Sequence, residues 1–136
     1  MSVHTLEGLW GRKASAALVG IPYGFVDRWE RAGLMRSTVP ARGQGRTAAL
    51  DRTDLGALAI LAALAPYCGF SDGIAVPAWG ELQGLALVGG AWWWDPPRRA
   101  LLPAKLGPIP TGDPPAVALY VDVDRINRQL EGRLPP

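Results

Sequence analysis

Two glycines end two short helix-compatible segments near the start of the chain, and their spacing constrains the fold more than any other feature. Residues 13–19 (KASAALV) are rich in alanine, which favours a helix, and Gly20 stops that helix. Pro22 then suits the first turn of a second helix, which we expect to run to about Ala32 with Gly33 as its C-terminal stop. The pattern predicts two short helices joined by a tight turn.

The second predicted helix has an apolar face and a polar face. Phe25, Val26 and Trp29 recur at helical spacing and are assigned to the core. The opposite face consists of Tyr23, Gly24, Asp27, Arg28 and Arg31. Two short helices joined by a glycine turn are the sequence form of a helix-turn-helix, whose second helix enters the major groove of DNA. An ordinary solvated helix face is the alternative interpretation.

A β-hairpin is predicted directly after this helix pair. Residues 34–39 have the pattern of a brief strand, residues 41–45 (ARGQG) that of a flexible tip, and residues 46–50 that of a returning strand. A hairpin in this position is a wing.

Two more helices are predicted before the β-rich region that begins at Leu85. Asp51 or Thr53 can cap a third helix, which carries an apolar stripe and stops near Pro66. A fourth helix is expected around residues 71–82, with Trp79 in the core.

The region from Leu85 onward is predicted to be β-rich and to end in a helix. Its expected pieces are a strand over residues 85–97, a second strand or extended segment over 98–106, a proline-rich loop over 107–115, a strand over 116–123 and a helix over 125–134. Asp124 is expected to cap the helix and Asp122 to face solvent. Ile126, Leu130 and Leu134 (or Arg133) share one face of that helix.

These elements predict an α+β chain in two parts, a winged helix-turn-helix over residues 1–83 and a β-rich module with a terminal helix over residues 84–136. The net charge is only +2, but it is unevenly distributed. Residues 1–46 hold seven basic and three acidic residues, a net charge of +4, and residues 47–136 hold seven basic and nine acidic residues, a net charge of −2. The excess positive charge belongs to the region of the predicted helix pair, with a chance distribution as the alternative.

The chain resembles the DNA-binding domain of MerR-family regulators over about residues 12–75. The matching segments are Gly20 and Ile21 at the turn, residues 29–34 (WERAGL) at the end of the second helix, residues 51–55 (DRTDL) at the start of the third and residues 69–71 (GFS) before the fourth. The chain departs from the family where Asp27 replaces the usual arginine and Arg28 the first tyrosine. The wing lacks the usual aromatic–arginine pair, and the long dimerisation helix is missing. The resemblance implies a winged helix-turn-helix that binds a two-fold symmetric DNA site as a dimer.

The candidate DNA-binding residues divide into base-reading and phosphate-binding groups. Tyr23 suits a thymine methyl group, Gly24 permits close approach of the backbone, and Arg28 can reach guanine O6 and N7 or a phosphate. Asp27 can accept from a cytosine amino group, or orient Arg28 or Arg31 through an ion pair. The candidate phosphate contacts are Arg12, Lys13, Arg36, Arg42 and Arg46.

Three consecutive tryptophans form the most unusual feature of the β-rich module. In a strand, Trp92 and Trp94 point to one side and Trp93 to the other. The run is interpreted as core packing or a dimer interface, with an aromatic ligand pocket as the alternative.

The composition argues against several other classes of protein. Cys68 and His4 are the only cysteine and histidine, so they cannot close a metal site within one chain, and Cys68 is expected to be an inert buried thiol. No nucleophile–base set or phosphate loop is present, so neither an enzyme nor a cofactor is expected. The longest apolar run, residues 55–66, is too short for a membrane span. We expect a cytoplasmic, nucleoid-associated protein.

The sequence thus predicts a sequence-specific, double-stranded DNA-binding transcriptional regulator that acts as a homodimer. The β-rich module would supply self-association, or contact a small-molecule ligand or a protein partner. One alternative is a phage or mobile-element DNA-recognition factor, similar to an excisionase or a small terminase subunit. The other is a protein-interaction adaptor on the same fold.

Overall fold

A computed structural model describes residues 8–37, 49–68, 76–96, 98–104 and 119–134. Within these ranges the chain forms five helices and two small antiparallel sheets, which confirms the predicted α+β class. The elements are β1 (Trp10–Gly11), α1 (Arg12–Val19), α2 (Tyr23–Arg31), β2 (Ala49–Leu50), α3 (Arg52–Cys68), α4 (Trp79–Val88), β3 (Ala91–Asp95), β4 (Ala100–Pro103), β5 (Leu119–Asp122) and α5 (Val123–Arg133). None of these helices is long and apolar enough to cross a membrane.

The two glycine stops predicted for α1 and α2 are confirmed. Gly20 adopts a left-handed conformation with φ of 86°, and its N–H donates to Ala16 O over 2.8 Å. Gly33 has φ of 79° and donates to Glu30 O, while the N–H of Leu34 donates to Trp29 O. This pair of bonds is a Schellman motif, which satisfies the last carbonyls of α2 and turns the chain sharply.

α3 is the central element of the fold. Asp51 caps it, because its Oδ1 accepts the N–H of Asp54 over 2.8 Å. The buried surface of α3 is wider than the predicted apolar stripe, since α1, α4, α5 and β5 cover the helix on several sides. The expected stop near Pro66 is confirmed, because α3 ends at Cys68, two residues further on. A proline in the last turn removes one helical hydrogen bond, and Pro66 lies on the exposed side of the helix.

The boundary between the fourth helix and the following strand differs from the prediction. α4 begins at Trp79 and continues to Val88, so residues 85–88 are helical rather than extended, while residues 71–75 lie outside the described ranges. Glu81 accepts the N–H of Ala78 at the start of α4, and two glycines with positive φ, Gly89 and Gly90, end it. Trp79 is buried in the core, as predicted.

The second sheet has the order β4-β3-β5 and is antiparallel throughout. Trp94 lies opposite Leu101 and Leu119, and it is fully buried on the face that covers the core. Trp93 lies on the other face, with its ring centroid 5.4 Å from that of Tyr120. β4 and β5 fall within the predicted strands, whereas the predicted loop over residues 107–115 lies outside the described ranges.

The cap of the terminal helix is not the residue that the sequence predicts. α5 begins at Val123, and Asp122 caps it by accepting the N–H of Arg125 over 3.0 Å, so Asp122 does not merely face solvent. Asp124 accepts the N–H of Gly90 over 2.8 Å and so joins α5 to the turn between α4 and β3. The shared apolar face is confirmed, since Leu130 is buried and its two neighbours on that face are packed against the core.

In the part of the predicted wing that the structure describes, the strands and their pairing differ from the prediction. Residues 34–37 form no strand, and residues 38–48, which include Arg42 and Arg46, lie outside the described ranges. β2, the end of the predicted returning strand, pairs instead with β1, where Trp10 lies opposite Leu50. This pairing is favoured because it buries Leu50 completely beneath the start of α1.

Three helices converge at Gly56 on α3. A Cβ at this position would lie 2.8 Å from Ala86 Cβ of α4 and 3.4 Å from Asn127 Oδ1 of α5. Asn127 also donates its Nδ2–H to Ala86 O over 3.2 Å.

The boundary predicted between residues 83 and 84 falls within α4, and the buried core contains residues from both sides of this boundary.

We predict opposite effects for two glycine substitutions in these helices. Gly56→Ala should lower the free energy of unfolding by about 1–3 kcal/mol, because the added methyl group forces α3 and α4 apart. Gly84→Ala, where a Cβ meets no atom within 4 Å, should raise it by up to about 1 kcal/mol through helix propensity alone. Urea denaturation followed by circular dichroism measures both, and equal effects would contradict the close packing at Gly56.

Candidate nucleic-acid interface

α2 buries one side and exposes the other, as its sequence pattern predicts. Val26 and Trp29 are buried, and the Phe25 ring stacks on that of Trp29 with 5.5 Å between centroids. On the opposite side, Tyr23 is 43% exposed and the Arg31 side chain is 81% exposed. Gly24 and Arg28 are exposed as well. The buried aromatic residues therefore fix the orientation of α2 and direct its polar face outward.

The start of α1 lies beside this polar face. Lys13 Nζ is 5.9 Å from the centroid of the Tyr23 ring, a cation–π distance that joins the first turns of the two helices. The Arg28 guanidinium lies 5.3 Å from the centroid of the Phe25 ring, also a cation–π distance, while the residue stays exposed. We call the resulting patch the α1–α2 surface; it consists of Arg12, Lys13, Tyr23, Gly24, Asp27, Arg28, Glu30, Arg31 and the exposed Arg36 that follows α2.

An ion-pair network lies at one side of the α1–α2 surface. Arg12 forms a salt bridge with Glu30, and its Nη1 lies 3.9 Å from Asp27 Oδ1. Asp27 also pairs with Arg31, with 3.1 Å between Oδ2 and Nη2. Glu30 additionally accepts the hydroxyl proton of Ser37 over 2.9 Å. The network joins α1, α2 and the segment after α2, so Arg12 has a positioning role besides any contact with a ligand.

Glu30 has a role on this surface that the sequence analysis missed. It lies within the WERAGL segment, but its partner Arg12 is 18 residues away in the chain. The side chains of Arg12 and Glu30 are only 26% and 20% exposed, so this pair is better shielded than the exposed Asp27–Arg31 pair. The α1–α2 surface contains five basic and two acidic residues, a net charge of +3.

The tryptophan run belongs to the sheet and not to this surface. Trp94 is part of the core, and Trp92 packs against it while donating its Nε1–H to Gly89 O over 2.9 Å. The packing interpretation is therefore correct for these two residues. Trp93 packs against Tyr120 on the outer face, and the described residues contain no group of three histidine, cysteine or carboxylate side chains that could hold a metal ion.

Comparison of the chain with protein-family models finds no family that matches, and no curated protein matches its sequence. The α1–α2 surface is thus the basis for assigning a function.

We predict that Glu30 stabilises the arrangement of α1 and α2. Glu30→Ala should lower the free energy of unfolding by about 1–3 kcal/mol, because it removes a shielded partner of Arg12 and an acceptor for Ser37. Arg31→Ala is the matched control and should cost less than about 0.5 kcal/mol, since its ion pair is exposed. Chemical denaturation of both variants checks this, and a Glu30→Ala cost no larger than that of the control would contradict it.

Proposed function

We propose that this protein is a winged helix-turn-helix transcriptional regulator that binds double-stranded DNA sequence-specifically as a homodimer. The observation that carries the proposal is the division of α2 into a buried aromatic side and an exposed side bearing Tyr23, Arg28 and Arg31. A helix held in this way can enter the major groove without unfolding any of the core. The resemblance of residues 12–75 to MerR-family regulators supports the same assignment.

In the proposed complex the residues of α2 read bases. Arg28, close to the middle of the helix, donates two hydrogen bonds to O6 and N7 of a guanine, and Tyr23 contacts a thymine methyl group. Asp27 holds Arg31 through their 3.1 Å ion pair, which limits the rotamers available to that arginine. Of the two roles that the sequence leaves open for Asp27, orientation of an arginine is the one we propose.

Phosphate contacts come from the residues that flank α2. Lys13 at the start of α1 and Arg36 after α2 are both exposed and lie on either side of the helix in sequence. In the proposed wing, Arg42 and Arg46 add further contacts with the backbone. Because one nine-residue helix reads few base pairs, a dimer on a two-fold symmetric site supplies the remaining specificity. The proposed role involves no catalysis.

One observation favours a different function, that of a protein-interaction adaptor. Asp27 and Glu30 neutralise part of the charge of Arg12 and Arg31, and carboxylates near phosphates are repelled. An adaptor would use the same surface to bind a protein, with little dependence on salt. The two functions therefore differ in how strongly binding depends on the salt concentration.

We predict that Arg28 and Arg36 contribute to DNA binding in different ways. After selection of a preferred duplex from genomic fragments, Arg28→Ala should weaken binding to that duplex at least about tenfold and relax its sequence preference. Arg36→Ala should weaken binding to all duplexes similarly and lower the slope of log K against log salt by about 1. Fluorescence anisotropy at several salt concentrations measures both effects.

The control for this experiment is Arg125→Ala, which removes an exposed arginine from the first turn of α5 rather than from the α1–α2 surface. Its affinity for DNA should equal that of the unsubstituted protein. If the folded protein binds no duplex even at low salt, the proposal is wrong, and a search for a protein partner follows.

A further inference from the structure

A groove of about 250 Å³ opens between α1, α3 and α5. The side chains that line it are mostly aliphatic and include Leu18, Ile21, Ala59, Ala62, Ala63 and Ile126, although more of its exposed surface is polar than apolar. The three alanines on α3 leave space that longer side chains would fill. Arg133 and Gln129, both on α5, are its polar lining side chains within the described part of the chain. The groove thus combines aliphatic side chains with a polar, cationic end.

Arg133 is held at this groove by the end of α1. Its Nη1 donates to Leu18 O and to Val19 O, each over 3.1 Å. α1 has no basic residue in its own last turn, so α5 supplies the cation that its C-terminal carbonyls attract. Gly20 permits this approach, since a Cβ at that position would lie 3.1 Å from Nη1.

The rest of the Arg133 guanidinium is available to a ligand. Both hydrogen bonds use Nη1, and within the described ranges no carboxylate pairs with Arg133. Arginine presents five N–H donors in a planar fork, so Nε and Nη2 can bind a carboxylate with two parallel hydrogen bonds while Nη1 still caps α1. An aliphatic groove with such a donor pair at one end matches a molecule that has an apolar body and one carboxylate.

We propose that this groove binds a small carboxylate with an aliphatic or arylalkyl body, whose carboxylate pairs with Arg133. This site goes beyond the proposed DNA-binding function and does not depend on it. Because Arg133 contacts the last two residues of α1, a bound ligand adds contacts between α5 and the end of α1. Ligand binding to the native state therefore also raises its thermal stability by mass action.

Calorimetric titration of the DNA-free, full-length protein with octanoate and with phenylbutyrate tests this site. We expect saturable binding with a Kd below about 1 mM for at least one of the two carboxylates. Octanol and phenylbutanol, which have the same apolar body but no carboxylate, should bind much more weakly. Arg133→Gln should weaken carboxylate binding at least about tenfold, since it removes the charge-assisted pair. Arg128→Gln, an exposed arginine on the same helix outside the groove, should leave it unchanged.

A second variant separates ligand binding from any loss of stability in Arg133→Gln. Ala63→Met fills the groove from an exposed position on α3 and leaves the Arg133 bonds in place, so it should also weaken binding while the protein remains folded. Circular dichroism monitors folding of each variant. The site is overturned if neither carboxylate saturates the protein by about 1 mM, if the alcohols bind equally well, or if Ala63→Met and Arg133→Gln bind like the unsubstituted protein.

Discussion

The packing of α3 determines where the other described elements lie. Leu55, Leu58, Ile60 and Leu61 are all fully buried although they point in different directions around the helix. A helix that is apolar on most of its sides has to be covered on most of them, and α1, α4, α5 and β5 do so here, while Ala63 and Pro66 remain exposed. Gly56 sets the closest of these approaches, since it lets the Ala86 methyl group take the place that a side chain on α3 would fill. The positions of α1 and α5 against α3 then create both the α1–α2 surface and the groove.

The α1–α2 surface shows a compromise between rigidity and charge. Glu30 and Asp27 lower the net positive charge of the surface, which weakens the general attraction for phosphates. In return, Arg12 and Arg31 are each held by a carboxylate on α2, so fewer side-chain rotamers remain to be ordered on binding. A surface of this kind favours discrimination between partners over overall affinity, which is the balance that a sequence-specific DNA-binding protein needs.

Features that depend on neighbouring residues could be predicted from the sequence, and features that depend on distant partners could not. The ends of α1 and α2 follow from Gly20, Gly33 and local hydrogen bonds, and the core side of α2 follows from helical spacing. The cap of α5 was misassigned because Asp122 and Asp124 are both suited to capping, and only the position of Gly90 in space decides between them. The pairing of β2 with β1 is likewise a contact across the α1–α2 segment that no local pattern encodes. The extent of α4 was missed because LALV fits a strand as well as a buried helix.

The same distinction explains why the exposed side of α2 could be predicted and the contacts of Glu30 and Arg133 could not. Tyr23, Arg28 and Arg31 lie on one helix, so their common exposure is visible as periodicity. Arg133 reaches residues 114 and 115 positions away, and only the packing of α5 on α3 brings it to the end of α1. α1 thereby carries Lys13 of the α1–α2 surface at one end and the Arg133 contact at the other. An eight-residue helix is about 12 Å long, so the groove and the α1–α2 surface lie about that far apart at opposite ends of α1.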